Sequence, residues 1–105
     1  MTRDEARRAL AEARKAIDAL DLELLDLLNR RTTVVEEIGR AKEALDMPIY
    51  EPKREEDVFH NVTDHNPGPL TADAVKGIFE RIIDEMRTLQ RMRRQQREQQ
   101  GEKEC

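Results

Sequence analysis

From Leu10 to Leu45 apolar residues return every three or four positions with no proline to interrupt them. They stand at Leu10, Ala13, Ile17, Leu20, Leu24 and Leu27, then at Val34, Ile38, Ala41 and Leu45. This is the repeat of one face of an α-helix. The first proline is Pro48 and the only earlier glycine is Gly39, so the pattern predicts a single helix from about Thr2 to about Leu45. At 1.5 Å per residue that helix is roughly 60 Å long, whereas a compact chain of this size has a radius of gyration of only about 13 Å. The helix would overhang its own fold. An apolar stripe that extends past the chain's other helices needs another surface, and a second copy related by a two-fold axis is the simplest source. An entwined homodimer is therefore expected.

The remaining elements are shorter. Pro48 and Pro52 disfavour helix at the residues before them, so Met47 to Pro52 is a break. Pro52 then suits the first turn of a second helix, where no N–H is needed. That helix buries Val58 and Val62 and stops before Asn66-Pro67-Gly68-Pro69. Thr71 is the N-cap expected for a third helix, with Asp73 in its first turn and a stripe through Val75, Phe79, Ile82, Ile83, Met86 and Leu89. After about Met92 the sequence is wholly polar, and 93–105 is expected to be a frayed helix end or a disordered tail. The predicted architecture is all-α, with a long, a short and a long helix in one domain, 1–92, followed by that tail.

Composition agrees and removes several function classes. Charged residues make up 40% of the chain and aromatics 3%, with no Trp, which suits solvated helices better than packed sheets. The net charge of -4 supplies no general field for nucleic acid, although Arg91, Arg93, Arg94 and Arg97 form a local basic cluster. The single cysteine, Cys105, allows no intrachain disulfide, and the N-terminus has no apolar signal core. No stretch approaches the roughly 20 apolar residues of a membrane span, so a cytoplasmic protein with no membrane partner is expected. His60 and His65 lack the spacing of a metal pair, and neither a P-loop nor a dinucleotide motif is present. No metal and no cofactor are expected.

The informative residues are polar ones that fall on the apolar faces. Arg31 stands between Leu27 and Val34, where the alternation calls for an apolar side chain, and an unpaired guanidinium there would be costly to bury. Its partner could be Glu55, another side chain or an anionic ligand. Lys42 lies at the edge of the same stripe, four residues after Ile38, and Arg14 has the same relation to Leu10 and Ile17. Gln90 follows Met86 by four residues and Ile83 by seven, so it too faces inward. Arg31 and Lys42 are about 20° apart in direction and roughly 16 Å apart along the axis, close enough for their long side chains to hold two ends of a small dianion. Arg14 is about 42 Å from Lys42 on the same scale. If it serves a site, that site belongs to another copy of the chain.

The segments that carry these residues resemble the all-helical, AroQ-class chorismate mutases over about Ala13 to Gln90. They are RKAIDALD at 14–21, LLNRR at 27–31, IGRAK at 38–42, PIYEPKRE at 48–55 and IFERII at 78–83, leading to Leu89-Gln90. The resemblance implies an enzyme that rearranges chorismate to prephenate in phenylalanine and tyrosine biosynthesis, an isomerase without cofactor. It also implies residue roles. Arg31, Lys42 and Arg54 would bind the substrate carboxylates within one protomer, with Arg14 entering from the other. Lys42 and Gln90 would donate to the ether oxygen, and Glu55, helped by Glu51, would receive the ring hydroxyl. Two positions depart from the pattern: Glu51 stands where other members often have Asp, and Met86, at a minor substrate contact, stands where many have a small polar residue.

Two other functions fit the same helices. Isochorismate pyruvate lyase needs the same carboxylate clamps, but the full set of Lys42, Glu55 and Gln90 favours the mutase. A non-catalytic helical dimer, for instance one that regulates a neighbouring enzyme of aromatic biosynthesis, would use the stripe only as a seam. Arg31 and Gln90 within the stripes argue against it, because a seam gains nothing from unpaired polar groups.

Overall fold

The computed structural model describes residues 1–104, with side chains through Gly101; Cys105, on which the disulfide argument turned, lies outside the described residues. The elements are α1 (Arg3–Ala44), α2 (Pro52–Asp64) and α3 (Ala72–Glu104). No strand occurs among the described residues.

Local chemistry sets the boundaries. Thr2 accepts the Glu5 N–H on Oγ1 at 3.1 Å, and Thr71 accepts the Ala74 N–H at 3.1 Å, so α1 and α3 each begin on a side-chain cap. At the other end of α1 the Met47 N–H donates to the Lys42 carbonyl at 2.8 Å and the Asp46 N–H to that of Glu43 at 3.1 Å. This is a Schellman closure, with Asp46 in the left-handed conformation at φ 54°. Pro52 opens α2. Between α2 and α3, Asn66 takes the Gly68 N–H on Oδ1 at 3.0 Å and donates from its side-chain Nδ2 to the Leu70 carbonyl at 2.7 Å, which folds the connection on itself.

The chain comprises two units, Met1–Thr33 and Val34–Cys105. The first is helix α1 alone up to Thr33, and only Leu28, Arg31 and Thr32 are even half-buried. Leu10, Ile17, Leu20, Leu24 and Leu27 are all 50–56% exposed. The stripe found in the sequence is thus uncovered within a single chain. Arg14 is exposed beside it.

The second unit contains the last turns of α1, α2 and α3. Its buried residues are Val35, Gly39 and Lys42 on α1, with Val75, Ile83 and Gln90 on α3. Here the expectation from the sequence needs correction. The line Val35–Gly39–Lys42 lies one residue on from the expected stripe of Val34, Ile38, Ala41 and Leu45, and those four are exposed. One residue on a helix is about 100° of rotation. Lys42 consequently lies on the buried line, as its last member, rather than at the edge of the apolar one. Val58 and Val62 of α2 are half-buried, as are Phe79, Ile82, Met86 and Leu89 of α3.

The polar C-terminal stretch is the continuation of α3, which runs as helix through Glu104. Arginines of this stretch contact the rest of the unit. Arg93 pairs with Glu36 at 3.1 Å, Arg97 pairs with Glu43, and Arg94 donates to the Met47 carbonyl at 3.2 Å. These contacts tie α3 to the end of α1 and to the connection that follows it.

Candidate active site

Lys42 and Gln90 are the buried polar side chains of the chain's described part, at 8% and 9% exposure. Lys42 reaches the connection beyond its own helix, where Nζ donates to the Ile49 carbonyl at 2.8 Å and pairs with Glu51 Oε1 at 2.8 Å. The Schellman closure makes this reach possible by turning the chain back beside the last turn of α1. An ammonium has three N–H donors, so the two bonds hold it in place and leave a third. Glu51 therefore acts here first as the group that orients Lys42, a role that reading the sequence did not assign.

Gln90 packs against α1 one turn before Lys42. A Cβ on Gly39 would lie 3.6 Å from its Cγ, an ordinary contact. Its Oε1 is buried and has no hydrogen-bond partner among the described residues. Leaving such a group unmatched costs about 1–3 kcal/mol. An amide can also turn over and present its two N–H donors at the same place.

Glu55, on the first turns of α2, is 18% exposed at its side chain and pairs with Arg87 of α3 at 2.9 Å. Arg54, its neighbour, is exposed on α2, and Met86 is half-buried on α3, one turn before Gln90. Within the Val34–Cys105 unit the fold thus joins Lys42 to Glu51 and Glu55 to Arg87, and it buries Gln90. Arg14 and Arg31 belong to the other unit, where Arg31 is half-buried.

Arg87 was missed by reading the sequence, yet a signal was present. It follows the buried Ile83 by four residues and precedes the buried Gln90 by three, which places it on the inward face by periodicity. No group of three or more His, Cys, Asp or Glu among the described residues is arranged to hold a metal ion. No helix among them is long and apolar enough to cross a membrane.

Residues 13–91 match the profile of the family described as chorismate mutase type II. The chain belongs to that family. Among solved structures it is similar to chorismate mutase (form II) from Thermus thermophilus, at 35% identity and a TM-score of 0.77, over 79% of this chain and 94% of the other. It is also similar to the Helicobacter pylori chorismate mutase solved in complex with prephenate, at 31% identity and a TM-score of 0.75, over 80% and 91% of the two chains. A chorismate mutase from Methanocaldococcus jannaschii is 33% identical over 91 residues, 78% of this chain and 84% of that protein. The bifunctional chorismate mutase/prephenate dehydratase of Aquifex aeolicus is 34% identical over 86 residues, and the match spans only 24% of its length. The chain thus spans about a quarter or less of the length of the bifunctional relatives that it matches.

Proposed function

We propose that this chain catalyses the rearrangement of chorismate to prephenate, as a homodimer in which each site takes one cation from the partner subunit. The observation that carries the reading is Lys42, a buried ammonium held by Glu51 and the Ile49 carbonyl with an N–H to spare, in a chain of this family.

The reaction suits such a site. A [3,3] rearrangement involves no nucleophile, proton transfer or redox change, so what accelerates it is conformation and charge. Cations on both carboxylates hold the enolpyruvyl arm over the ring, which lowers the barrier by orientation. Arg31, Arg54 and the partner subunit's Arg14 are assigned to this grip, with Lys42. As the C–O bond breaks, negative charge grows on the ether oxygen. A donor fixed beforehand at that point stabilises the transition state more than the ground state. Lys42 supplies a full charge there and Gln90 an amide N–H. Glu55 receives the ring hydroxyl, with Glu51 beside it. Met86 is assigned only a minor contact.

The dimer is supported by the Met1–Thr33 unit. A lone helix whose leucines and isoleucine are half-exposed has no core of its own, and helices in water gain most of their stability by packing an apolar face. A second copy offers a face of the same chemistry. In solution the mass should be twice the 12.3 kDa of the chain.

Purified protein incubated separately with chorismate and with isochorismate, without added metal or cofactor, tests the activity. Prephenate is expected in the first tube. Its absence would remove the mutase reading, and products from isochorismate alone would replace it with the lyase.

A further inference from the structure

Arg87 is held from several sides, and no step of the proposed reaction uses it. Its Nε lies 2.9 Å from Glu55 Oε2, and its Nη2 donates to Glu55 Oε1 at 3.3 Å. The same Nη2 donates to Asp84 Oδ1 at 2.6 Å, one turn back on α3. Its guanidinium carbon sits 5.2 Å from the centre of the Tyr50 ring. Both members of the Arg87–Glu55 pair are largely withdrawn from water, with side chains 24% and 18% exposed.

Each contact restricts Glu55 further. The guanidinium touches both carboxylate oxygens, one through the Nη2 hydrogen bond and the other through Nε in ion-pair contact, and two points of charged contact restrict the turn of the group as well as its position. Asp84 and the face of Tyr50 in turn keep the guanidinium from swinging away. A carboxylate offers about four lone-pair sites; Arg87 Nη2 takes one on Oε1, while Nε lies against Oε2 in ion-pair contact without the alignment of a hydrogen bond. The others remain for an incoming donor. Tyr50 also stands between Ile49 and Glu51, the two residues that accept from Lys42, so the arginine leans on the segment that anchors the ammonium.

We propose that Arg87 is a positioning residue, which sets the rotamer and plane of the Glu55 carboxylate and thereby the site's grip on the ring hydroxyl of its substrate. The inference rests on the mutase reading above. A hydroxyl contact exists in both the ground state and the transition state, so weakening it raises KM more than it lowers kcat. A mere tie between α2 and α3 behaves differently. Its loss would lower stability and displace the buried donors, whatever stands at position 55.

The test is steady-state kinetics of the full-length chain with chorismate, on wild type, Arg87→Met, Glu55→Gln and the double variant. R87M should raise KM about tenfold, the loss typical of one charge-assisted pair, with kcat within about twofold. In the E55Q background the same change should add less than about twofold, because the carboxylate that Arg87 orients is gone. A wild-type KM in R87M beside an impaired E55Q overturns the inference and leaves the mutase reading intact. So does a double variant in which the two effects multiply. No turnover by wild type removes the mutase reading, and the inference with it. If R87M does not fold, Arg87→Lys carries the test. Lys keeps the charge but not the fork, so KM should still rise about threefold, and an unchanged KM overturns the inference.

Discussion

Replacing Lys42 with alanine should produce two separable losses, and the structure sets the scale of each. The first is catalytic. Removing one preorganised donor from a developing oxyanion costs about 2.7–4 kcal/mol, which is about a hundredfold to a thousandfold in kcat. The second is structural. The Ile49 carbonyl loses the ammonium at 2.8 Å, and Glu51, whose side chain is 32% exposed, loses its partner. An unmatched carbonyl costs about 1–3 kcal/mol when fully buried. Glu51 keeps enough contact with water for its share to be smaller, so a total near 2 kcal/mol is expected. Initial rates of chorismate consumption at saturating substrate measure the first loss, and urea unfolding followed by helical circular dichroism measures the second. A variant with near wild-type kcat would refute the assignment of Lys42 to the ether oxygen, however much stability it had lost. A variant with the kinetic loss but an unchanged unfolding midpoint would refute the claim that Lys42 anchors the α1–α2 connection.

Further outcomes are expected from three other perturbations. Gln90→Glu should give an enzyme that is active only on the acidic side, because the protonated acid donates as the amide does and the carboxylate repels the developing charge; activity should fall as pH rises through the pKa of the new carboxyl, and a pH profile like that of wild type would place Gln90 away from the reacting oxygen. Arg14→Ala and Lys42→Ala, each nearly inactive alone, should recover about a quarter of wild-type activity when unfolded and refolded together in equal amounts, since about half of the dimers are mixed and each has one complete site; no recovery, with mixed dimers seen by mass spectrometry, would mean that Arg14 does not act across the interface. Ending the chain at Met92 removes the Arg94 and Arg97 contacts and the more exposed Arg93 pair, and should cost about 2 kcal/mol in urea unfolding; an unchanged midpoint would make 93–105 the dispensable tail that its polarity suggests.

Helix starts were legible because they rest on local chemistry that the sequence states outright. Thr2, Pro52 and Thr71 act within a turn of themselves, and the observed starts at Arg3, Pro52 and Ala72 follow from them. What could not be read was which face of α1 the chain covers for itself. The line Val35–Gly39–Lys42 contains a glycine and a lysine, so it scores as weakly apolar, while Val34, Ile38 and Leu45 beside it form a better stripe and stay exposed. Hydrophobic periodicity reports where apolar surface is to be buried, without saying by what. Reading that stripe as the chain's own core placed Lys42 at an edge when it lies on the buried line itself.

The same limit explains Arg87, Arg94 and Arg97. From Ile83 the inward face of α3 runs on through Arg87, Gln90, Arg94 and Arg97, spaced four, three, four and three, which is the helical repeat written in polar residues. A search for apolar positions stops at Met92 and takes the remainder for a tail. Yet the faces opposite carry Glu55, Glu43 and the Met47 carbonyl, and charged groups and a carbonyl matched to arginine can continue an interface where leucine has ended. The inward face of α3 therefore passes from an apolar packing surface at Val75 and Ile83, through Arg87 and Gln90 beside the candidate site, to an arginine clamp on the segment that holds Lys42. If that clamp and the Arg87–Glu55 pair both act on the site, substitutions of Arg87, Arg94 and Arg97 should affect catalysis although none of the three is assigned a substrate contact, and those on the opposite face of α3 should not.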